Sequence, residues 1–528
     1  MDSTLPRADA LAIRDGRIVF VGGVDGARAR AGPSTTVLTL EGRMILPAFQ
    51  DAHVHPVSGG LELDRCDLLD LRTRAAILDR IRACAAGSDS GWLVGSRWDL
   101  PVFPDANPRK EWLDSIVPDR PAYFPAADHH SAWVNSAALR LAGVTRATPD
   151  PPRGRIERDA GGEPSGTLRE SAMQLVSSLI PPPSPDRRLD GLRQALALLN
   201  RHGVTALQEA SADRPLLETY RDLERLGELT ARVVVAMRAD PRGGPAQVDT
   251  FVAWRAAFRS PRVHPEVVKF FLDGVIEART AAMLQPYTDR PGWAGEPNWT
   301  AATLDSMVAR LVAEGFSIHL HAIGDRAVRM ALDAVEQAER GQDRGTRRHQ
   351  IAHVQVVDPA DAPRFGALGV IANFQPLWAY PDAYIRDLTW PALGPDRSQW
   401  IYPINAVLQA GGRIAFGSDW SVTSLVPLEG IQVAVTRRDP ADSLGLQLLP
   451  EQAIALEAAL RAYTLGAAYA NGLDSLTGSL RVGKAADLVV LEADLQELPP
   501  HRIAGVRVLL TLLDGKPVHG SLDSLSGR

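Results

Sequence analysis

Two histidines lie one residue apart in the segment "AFQDAHVHP", which follows the apolar run "MILP". Residues i and i+2 of an extended strand point to the same side, so the imidazoles of His53 and His55 face one point. Asp51 stands beside them. Two imidazoles directed at one point next to a carboxylate are typical of half of a metal site. The other ligands must come from elsewhere in the chain.

Further side chains of the ligand type end other apolar segments. They are Glu209 in "VTALQEA", Lys269 in "VVKFFLDG", His321 in "HLHAIGD", His353 in "IAHVQ", Gln375 in "NFQP" and Asp419 in "FGSDW". Imidazole and carboxylate suit zinc and similar divalent ions. Lys269 is the exception, because a protonated amine cannot ligate a dication. A lysine carboxylated by CO2 is an anion with two oxygens that can bridge two metals; the alternative is an ordinary lysine paired with Asp273 beside one metal.

The segments that must position these side chains alternate between helix and strand. Counting "RMILPAFQDAHVH", eight apolar strands are separated by segments with helical spacing, such as "RRLDGLRQALALLNRHG". This order predicts parallel β/α units, and eight of them predict a (β/α)8 TIM barrel over residues 48–474. Functional side chains of such a barrel lie at the C-terminal ends of the strands, where the candidate ligands fall.

Two additions to the barrel are predicted. More than a hundred residues separate His55 from the helix near Arg187, which is too long for a structureless loop. We expect an inserted α/β cap over residues 60–185, above the mouth of the barrel. Short alternating strands around Gly-containing turns occur near both ends of the chain. They predict a small composite β-sandwich built from residues 1–47 and 475–528.

Composition excludes several classes of protein. The 528-residue chain is 45% hydrophobic, with a net charge of −6 and a sequence pI of about 6.1. It has no basic stripe for nucleic acid, no polybasic run and no apolar run long enough to span a membrane. Cys66 and Cys84 do not make a disulfide framework and the first residues do not read as a signal peptide, so we expect a cytoplasmic protein. Its expected partner is a small-molecule substrate, and a homodimer is left open.

Together the motifs resemble a known family. "DAHVHP", "KFFLDG", "HAIGDRAV", "IAHVQVV", "FGSDW" and "TGSLRVGKAADLVVL" are similar to those of the amidohydrolase superfamily, in the YtcJ-like branch of amidohydrolase family 3. The resemblance implies two divalent ions, expected to be zinc. It implies that His53, His55 and Asp419 bind one ion, that His321 and His353 bind the other, and that carboxylated Lys269 bridges them. Asp419 would also carry the proton between water and the leaving group.

The resemblance implies a function and leaves alternatives. We expect a metal-dependent hydrolase that cleaves a C–N bond of an amide-like molecule, with N-acyl or N-formyl amines favoured. A deaminase or cyclic amidase of the same superfamily is the alternative, and a non-catalytic regulator is the rival from another class. The predicted substrate contacts are His130, Trp133, Asn135, Gln375 and Trp420, while His319 is predicted to be a packed barrel residue. The segment "DHHSAW" has His129 where the branch commonly has glycine, which points to a feature of this enzyme's own substrate.

Overall fold

The computed structural model describes residues 5–87, 91–342 and 347–525. Its strands are, in chain order, β1 (Ala10–Arg14), β2 (Arg17–Gly22), β3 (Met44–Pro47), β4 (Phe49–Val54), β5 (Cys66–Asp67), β6 (Leu93–Ser96), β7 (Ala122–Pro125), β8 (Ser131–Val134), β9 (Gly154–Arg158), β10 (Pro164–Glu170), β11 (Val204–Ala212), β12 (Arg232–Arg238), β13 (Val263–Phe271), β14 (Ser317–Ala322), β15 (Gln350–His353), β16 (Ile371–Phe374), β17 (Arg413–Phe416), β18 (Leu488–Leu491), β19 (Val508–Leu513) and β20 (Lys516–His519).

The helices are α1 (Val24–Arg28), α2 (Pro56–Glu62), α3 (Arg74–Ala86), α4 (Lys110–Asp114), α5 (Ser136–Leu141), α6 (Gln174–Ser177), α7 (Pro185–Arg201), α8 (Arg214–Arg225), α9 (Gln247–Phe258), α10 (Ala301–Ala313), α11 (Asp325–Glu339), α12 (Ala362–Leu368), α13 (Trp390–Arg397), α14 (Ile404–Gln409), α15 (Pro427–Thr436), α16 (Leu456–Arg461) and α17 (Ala467–Ala470). Short 3-10 turns cover Leu100–Val102, Pro104–Ala106, Ser171–Met173, Pro376–Trp378, Ser398–Trp400, Pro450–Gln452 and Pro500–Gly505, and π turns cover Tyr384–Thr389 and Ala462–Gly466. None of the helices in the described part of the chain has the length and apolarity that a membrane crossing requires.

Eight parallel strands form the central barrel. They lie in the order β4, β11, β12, β13, β14, β15, β16 and β17. The ring closes just beyond its last strand, where the amide of Asp419 donates to the carbonyl of His53 at 2.7 Å and the amide of His55 donates to the carbonyl of Trp420 at 2.9 Å. The predicted TIM barrel is therefore confirmed.

Capping side chains fix the residues at which several barrel helices begin. α7 begins after Ser184, whose hydroxyl accepts from the amide of Arg187. Asp213 caps α8 and Thr300 caps α10 in the same way. A side-chain oxygen at this position accepts from an amide that has no partner within the helix, which fixes the start of the helix. The apolar faces of these helices pack on the outside of the barrel in one continuous core.

The cap is a six-stranded mixed sheet inserted between β4 and β11. Its strand order is β5-β6-β7-β8-β10-β9. Cys66 of β5 and Cys84 of α3 form a disulfide bond, with Cα atoms 5.8 Å apart. The expectation that these cysteines make no disulfide is wrong, because the cap lays α3 beside β5. The predicted cytoplasmic location was based on the cysteines and on the first residues of the chain, and the cysteines no longer support it.

Both ends of the chain contribute to one further sheet. β3 pairs with β18, β18 with β19, and β19 with β20. The β1–β2 hairpin joins this region, since the amide of Ile18 donates to Lys484 and the amide of Ala486 donates to Gly16. The predicted single strand "RMILPAFQDAHVH" is in fact divided at Ala48: β3 belongs to the terminal sheet, and β4 belongs to the barrel.

Candidate metal centre

Ligand-type atoms converge at the C-terminal mouth of the barrel. One ligand atom from each of His53, His353 and Asp419 lies within 4.8 Å of the other two. These side chains come from β4, from β15 and from the turn after β17, and all three are buried. The barrel thus brings His53 together with His353 and Asp419, which lie 300 and 366 positions later in the sequence.

His55 adjoins this group and is oriented by a buried carboxylate. Its Nε2 lies 3.2 Å from Asp419 Oδ1, and its Nδ1 lies 3.2 Å from Glu209 Oε1. The hydroxyl of Tyr220 donates to Glu209 Oε2 at 2.8 Å. Burial alone would lower the pKa of His55, but the carboxylates of Asp419 and Glu209 raise it to about 9. The surroundings therefore favour positive charge at this point, which a bound cation would supply in place of a proton.

A chain of hydrogen bonds orients His53. Its Nδ1 lies 2.9 Å from Nε2 of His319, and the other ring nitrogen of His319 contacts Gln208. Nε2 of His53 is left facing the centre, 3.5 Å from Asp419 Oδ1. His319 is fully buried, as predicted for a packed residue, and it also fixes which nitrogen of His53 is free to ligate.

Lys269 is buried within the centre. Its Nζ lies 3.4 Å from His53 Nε2, and in the described residues no carboxylate oxygen lies within ion-pairing distance of it. Burial lowers the pKa of Lys269 to about 7, although Asp419 and Glu209 act against this shift. No contact pairs the amine with Asp273 in the described residues; that carboxylate instead accepts the backbone amides of Ala282, Ile323 and Gly324 at 2.9–3.1 Å.

His321 lies at the far side of the same cluster. Its ring centroid is 4.5 Å from that of His353. Its Nε2 faces the carbonyl oxygen of Gly274 at 3.2 Å and Asp273 Oδ1 at 3.5 Å. Of the six predicted ligands, three thus share one point, and His55, Lys269 and His321 surround it.

The residues present fit a metal ion. Asp419 Oδ1 is a buried oxygen that accepts no hydrogen bond of normal geometry from the described residues. A buried carboxylate oxygen without such a partner is costly unless a cation compensates it. The imidazole and carboxylate donors around it are those that zinc and similar ions bind.

Sequence comparison gives the family of the chain. A family model described as "Amidohydrolase family" matches residues 36–519. The chain belongs to the amidohydrolase family. It is a metal-dependent hydrolase, as its motifs predicted.

Individual members of the family match over nearly their whole length. "Protein LONG AFTER FAR-RED 3" of Arabidopsis thaliana is 30% identical, with 98% of this chain and 89% of that protein covered. "Putative amidohydrolase YtcJ" of Bacillus subtilis is 28% identical, with 97% and 96% covered. "N-substituted formamide deformylase" of Arthrobacter pascens is also 28% identical, with 96% and 94% covered. An uncharacterized metal-dependent hydrolase from Pyrococcus furiosus has a similar structure, with a TM-score of 0.70, 26% identity, and 92% and 95% covered.

The amidohydrolase centre opens into a cavity of about 2410 Å³ between barrel and cap. His53, His55, His321, His353 and Asp419 lie on its floor. Two predicted substrate contacts, His130 and Trp420, line its wall. These two remain candidates for contact with the substrate.

Two other predicted contacts do not reach the cavity. Trp133 is fully buried in the core of the cap, where its Nε1 donates to the carbonyl of Arg109 at 2.9 Å. Asn135 is also fully buried, and it caps α5 by accepting from the amide of Ala138. The prediction that they contact the substrate is therefore wrong: both sit where the cap packs against itself.

Gln375 has a different place from the one predicted. It is buried, and its Oε1 lies 2.8 Å from Nδ1 of His353. It does not line the cavity, so its predicted contact with the substrate is corrected. Gln375 instead orients a candidate metal ligand, as Glu209 does for His55.

His129 adopts a backbone conformation that is typical of glycine. Its φ of 59° lies in the left-handed region that glycine adopts without steric cost. The side chain lines the cavity, and its Nε2 is 3.8 Å from Glu62 Oε1. This amidohydrolase therefore places an imidazole beside the cavity at a position whose backbone conformation favours glycine.

Proposed function

We propose that this amidohydrolase cleaves the C–N bond of N-formyl or N-acyl amines at a centre of two zinc ions. The observation that carries the proposal is the convergence of His53, His353 and Asp419, whose buried Oδ1 accepts no hydrogen bond of normal geometry from the described residues. The deformylase of Arthrobacter pascens, similar over nearly the whole chain, supports this choice of substrate class.

The proposed ligands divide between the two ions. His53, His55 and Asp419 would hold one ion, and His321 and His353 would hold the other. Lys269 would bridge them as a carbamate, and its burial supports this, because CO2 reacts with the neutral amine that burial favours. Divalent ions bound here would lower the pKa of water toward neutrality and polarise the carbonyl group.

Asp419 is proposed to move the proton. Burial raises the pKa of this carboxyl, but its contact with His55, together with His353 and Lys269, lowers it to about 2. It is therefore ionised at neutral pH and can accept a proton from the attacking water. The same carboxyl would then protonate the departing nitrogen, which completes hydrolysis to a carboxylic acid and an amine.

An activity screen of the zinc-loaded protein tests the proposal. We expect turnover of N-formyl and N-acyl amines, little turnover of cyclic amides and amino-substituted heteroaromatics, and close to two zinc ions per chain by elemental analysis. Asp419→Asn should retain much of the zinc and lose about 10²- to 10⁴-fold in turnover, the usual contribution of general acid–base catalysis. Turnover confined to cyclic amides or to amino-heteroaromatics would contradict the substrate class. Normal turnover by a zinc-loaded Asp419→Asn protein would contradict the proton path.

A further inference from the structure

The cap places an imidazole directly above the metal centre. His130 lies in the loop between β7 and β8, and its ring centroid is 5.3 Å from that of His321. Its Nδ1 lies 2.9 and 3.0 Å from the two carboxylate oxygens of Glu170. A carboxylate only accepts, so Nδ1 donates its proton to Glu170 and the ring is held in one orientation.

Three local features hold Glu170 in this position. Its own φ is 49°, which a residue other than glycine rarely adopts unless its surroundings impose it. The hydroxyl of Thr280, from the barrel loop after β13, donates to Glu170 Oε1 at 2.7 Å. A Cβ at Gly274 would lie 2.1 Å from the same oxygen, so the missing side chain there makes room for the carboxylate. Cap and barrel are thus fitted to each other around this pair.

The other ring nitrogen of His130 is not used in holding the cap. Among the described residues Nε2 has no hydrogen-bond partner, and the side chain lines the cavity. Glu170 contacts the ring at Nδ1, and Nε2 is directed away from Glu170. A histidine that only fastened the cap would not need to present a free nitrogen to the cavity beside His321.

Asp419 and His130 stand on different sides of the centre. Asp419 lies against His53 and His55, whereas His130 lies over His321. A group bound between them is contacted by the barrel from one side and by the cap from the other.

We propose that His130 hydrogen-bonds the scissile amide group of the substrate through Nε2, and that Glu170 and Thr280 are its positioning residues. This inference rests on the proposed function, because it takes the substrate to be an amide. It makes the cap a part of the catalytic site.

A set of zinc-loaded variants tests the assignment on the substrate that the wild-type enzyme turns over best. His130→Phe keeps a ring without a nitrogen, and it should lower kcat/KM by about 10- to 100-fold. Zinc content should stay at its wild-type value, and the melting temperature should fall no further than in Glu170→Gln, which breaks the same pair. His130→Gln, whose amide nitrogen can reach a similar place, should recover part of the loss. His501→Gln, at an exposed histidine, is the matched control and should change nothing.

A double-mutant cycle separates positioning from direct contact. Glu170→Gln and Thr280→Val should each lower kcat/KM, but adding either change to His130→Phe should cause little further loss. Wild-type kcat/KM in His130→Phe would overturn the substrate contact and leave the proposed function intact. Loss of zinc in His130→Phe would also overturn it, because the residue would then support the metal site. Additive losses would overturn the positioning role, and a wild-type enzyme inactive on every amide would remove the proposed function and this inference together.

Discussion

At the scale of single residues, the centre depends on polar partners that contact the candidate ligands on the side away from the centre. Glu209 is buried, bridges His55 and Tyr220, and has no guanidinium or ammonium group within hydrogen-bonding distance in the described part of the chain. Such partners fix the tautomer and direction of a ligating imidazole.

Glu209→Gln should therefore weaken zinc binding by about 10- to 100-fold, the usual effect of removing such a partner. Tyr220→Phe should act in the same direction with a smaller effect, because it removes one hydrogen bond from the same carboxylate. Competition with a chelator of known affinity measures the dissociation constant of zinc. Glu497→Gln, at an exposed glutamate, is the control. Equal zinc affinity in Glu209→Gln and wild type would show that His55 does not need this carboxylate.

The candidate ligands can be found in the sequence more readily than the polar groups that orient them. His53 and His55 could be found because the two-residue period of a strand places them on one side. Glu209 and Gln208 contact imidazoles 154 and 111 positions away, and no local period connects them. Asn135 and Trp133 were wrongly predicted to contact the substrate, because "HSAWVNSAAL" does not reveal which of its residues face the core of the cap. Only the packing of the cap decides that.

At the scale of elements, the cap is held by a covalent bond as well as by its core. The Cys66–Cys84 disulfide joins β5, the edge strand of the cap sheet, to α3, with a sequence separation of 18 residues. β5 is only two residues long, so few backbone hydrogen bonds hold it.

Cys66→Ser should destabilise the cap by about 3 kcal/mol, the value expected for a closed loop of this length. The barrel core does not contain these residues, so its unfolding should change little. Limited proteolysis should show faster cleavage around residues 66–87 in Cys66→Ser, and in the wild type after reduction. Ser115→Ala, an exposed change in the same cap, serves as the control. Identical cleavage of reduced and oxidised wild type would show that the apolar core of the cap holds β5 and α3 in place without the disulfide.

The order of barrel helices and strands followed from the sequence, because amphipathic segments such as α8 and α11 alternate with short apolar segments. The division of β3 from β4 at Ala48 could not be predicted in this way. Both halves are apolar and extended, and they differ only in whether they pair with β18 or with β11. Pairing of that kind is set by residues hundreds of positions away.

At the scale of the whole molecule, an ion pair fastens the terminal sheet to the bottom of the barrel. Arg232, at the start of β12, donates through Nε to Asp487 Oδ2 at 2.8 Å and also contacts Asp514. Asp487 is almost fully buried. Removing one member of a buried pair leaves the other charge uncompensated, which costs about 3–5 kcal/mol.

Arg232→Met should thus lower the free energy of unfolding by about 3–5 kcal/mol in a urea titration. Arg225→Met removes an exposed arginine and should change it by less than about 1 kcal/mol. If the two variants unfold at the same urea concentration, the terminal sheet is held by apolar packing alone. Zinc content should remain normal in both, since neither residue approaches the centre.

The pairing of β3 with β18 also governs when the protein can become active during its synthesis. β4, which carries the first two histidines of the centre, follows β3 after the single residue Ala48. Its neighbour β11 leaves the ribosome early, but β18 is made about 440 residues after β4, which takes roughly 20–90 s at about 5–20 residues per second. Throughout that interval the nascent chain exposes an apolar strand whose partner does not yet exist. The strand that precedes the first two histidines is therefore paired with β18 only near the end of translation, and an unpaired apolar strand of this kind favours aggregation until then.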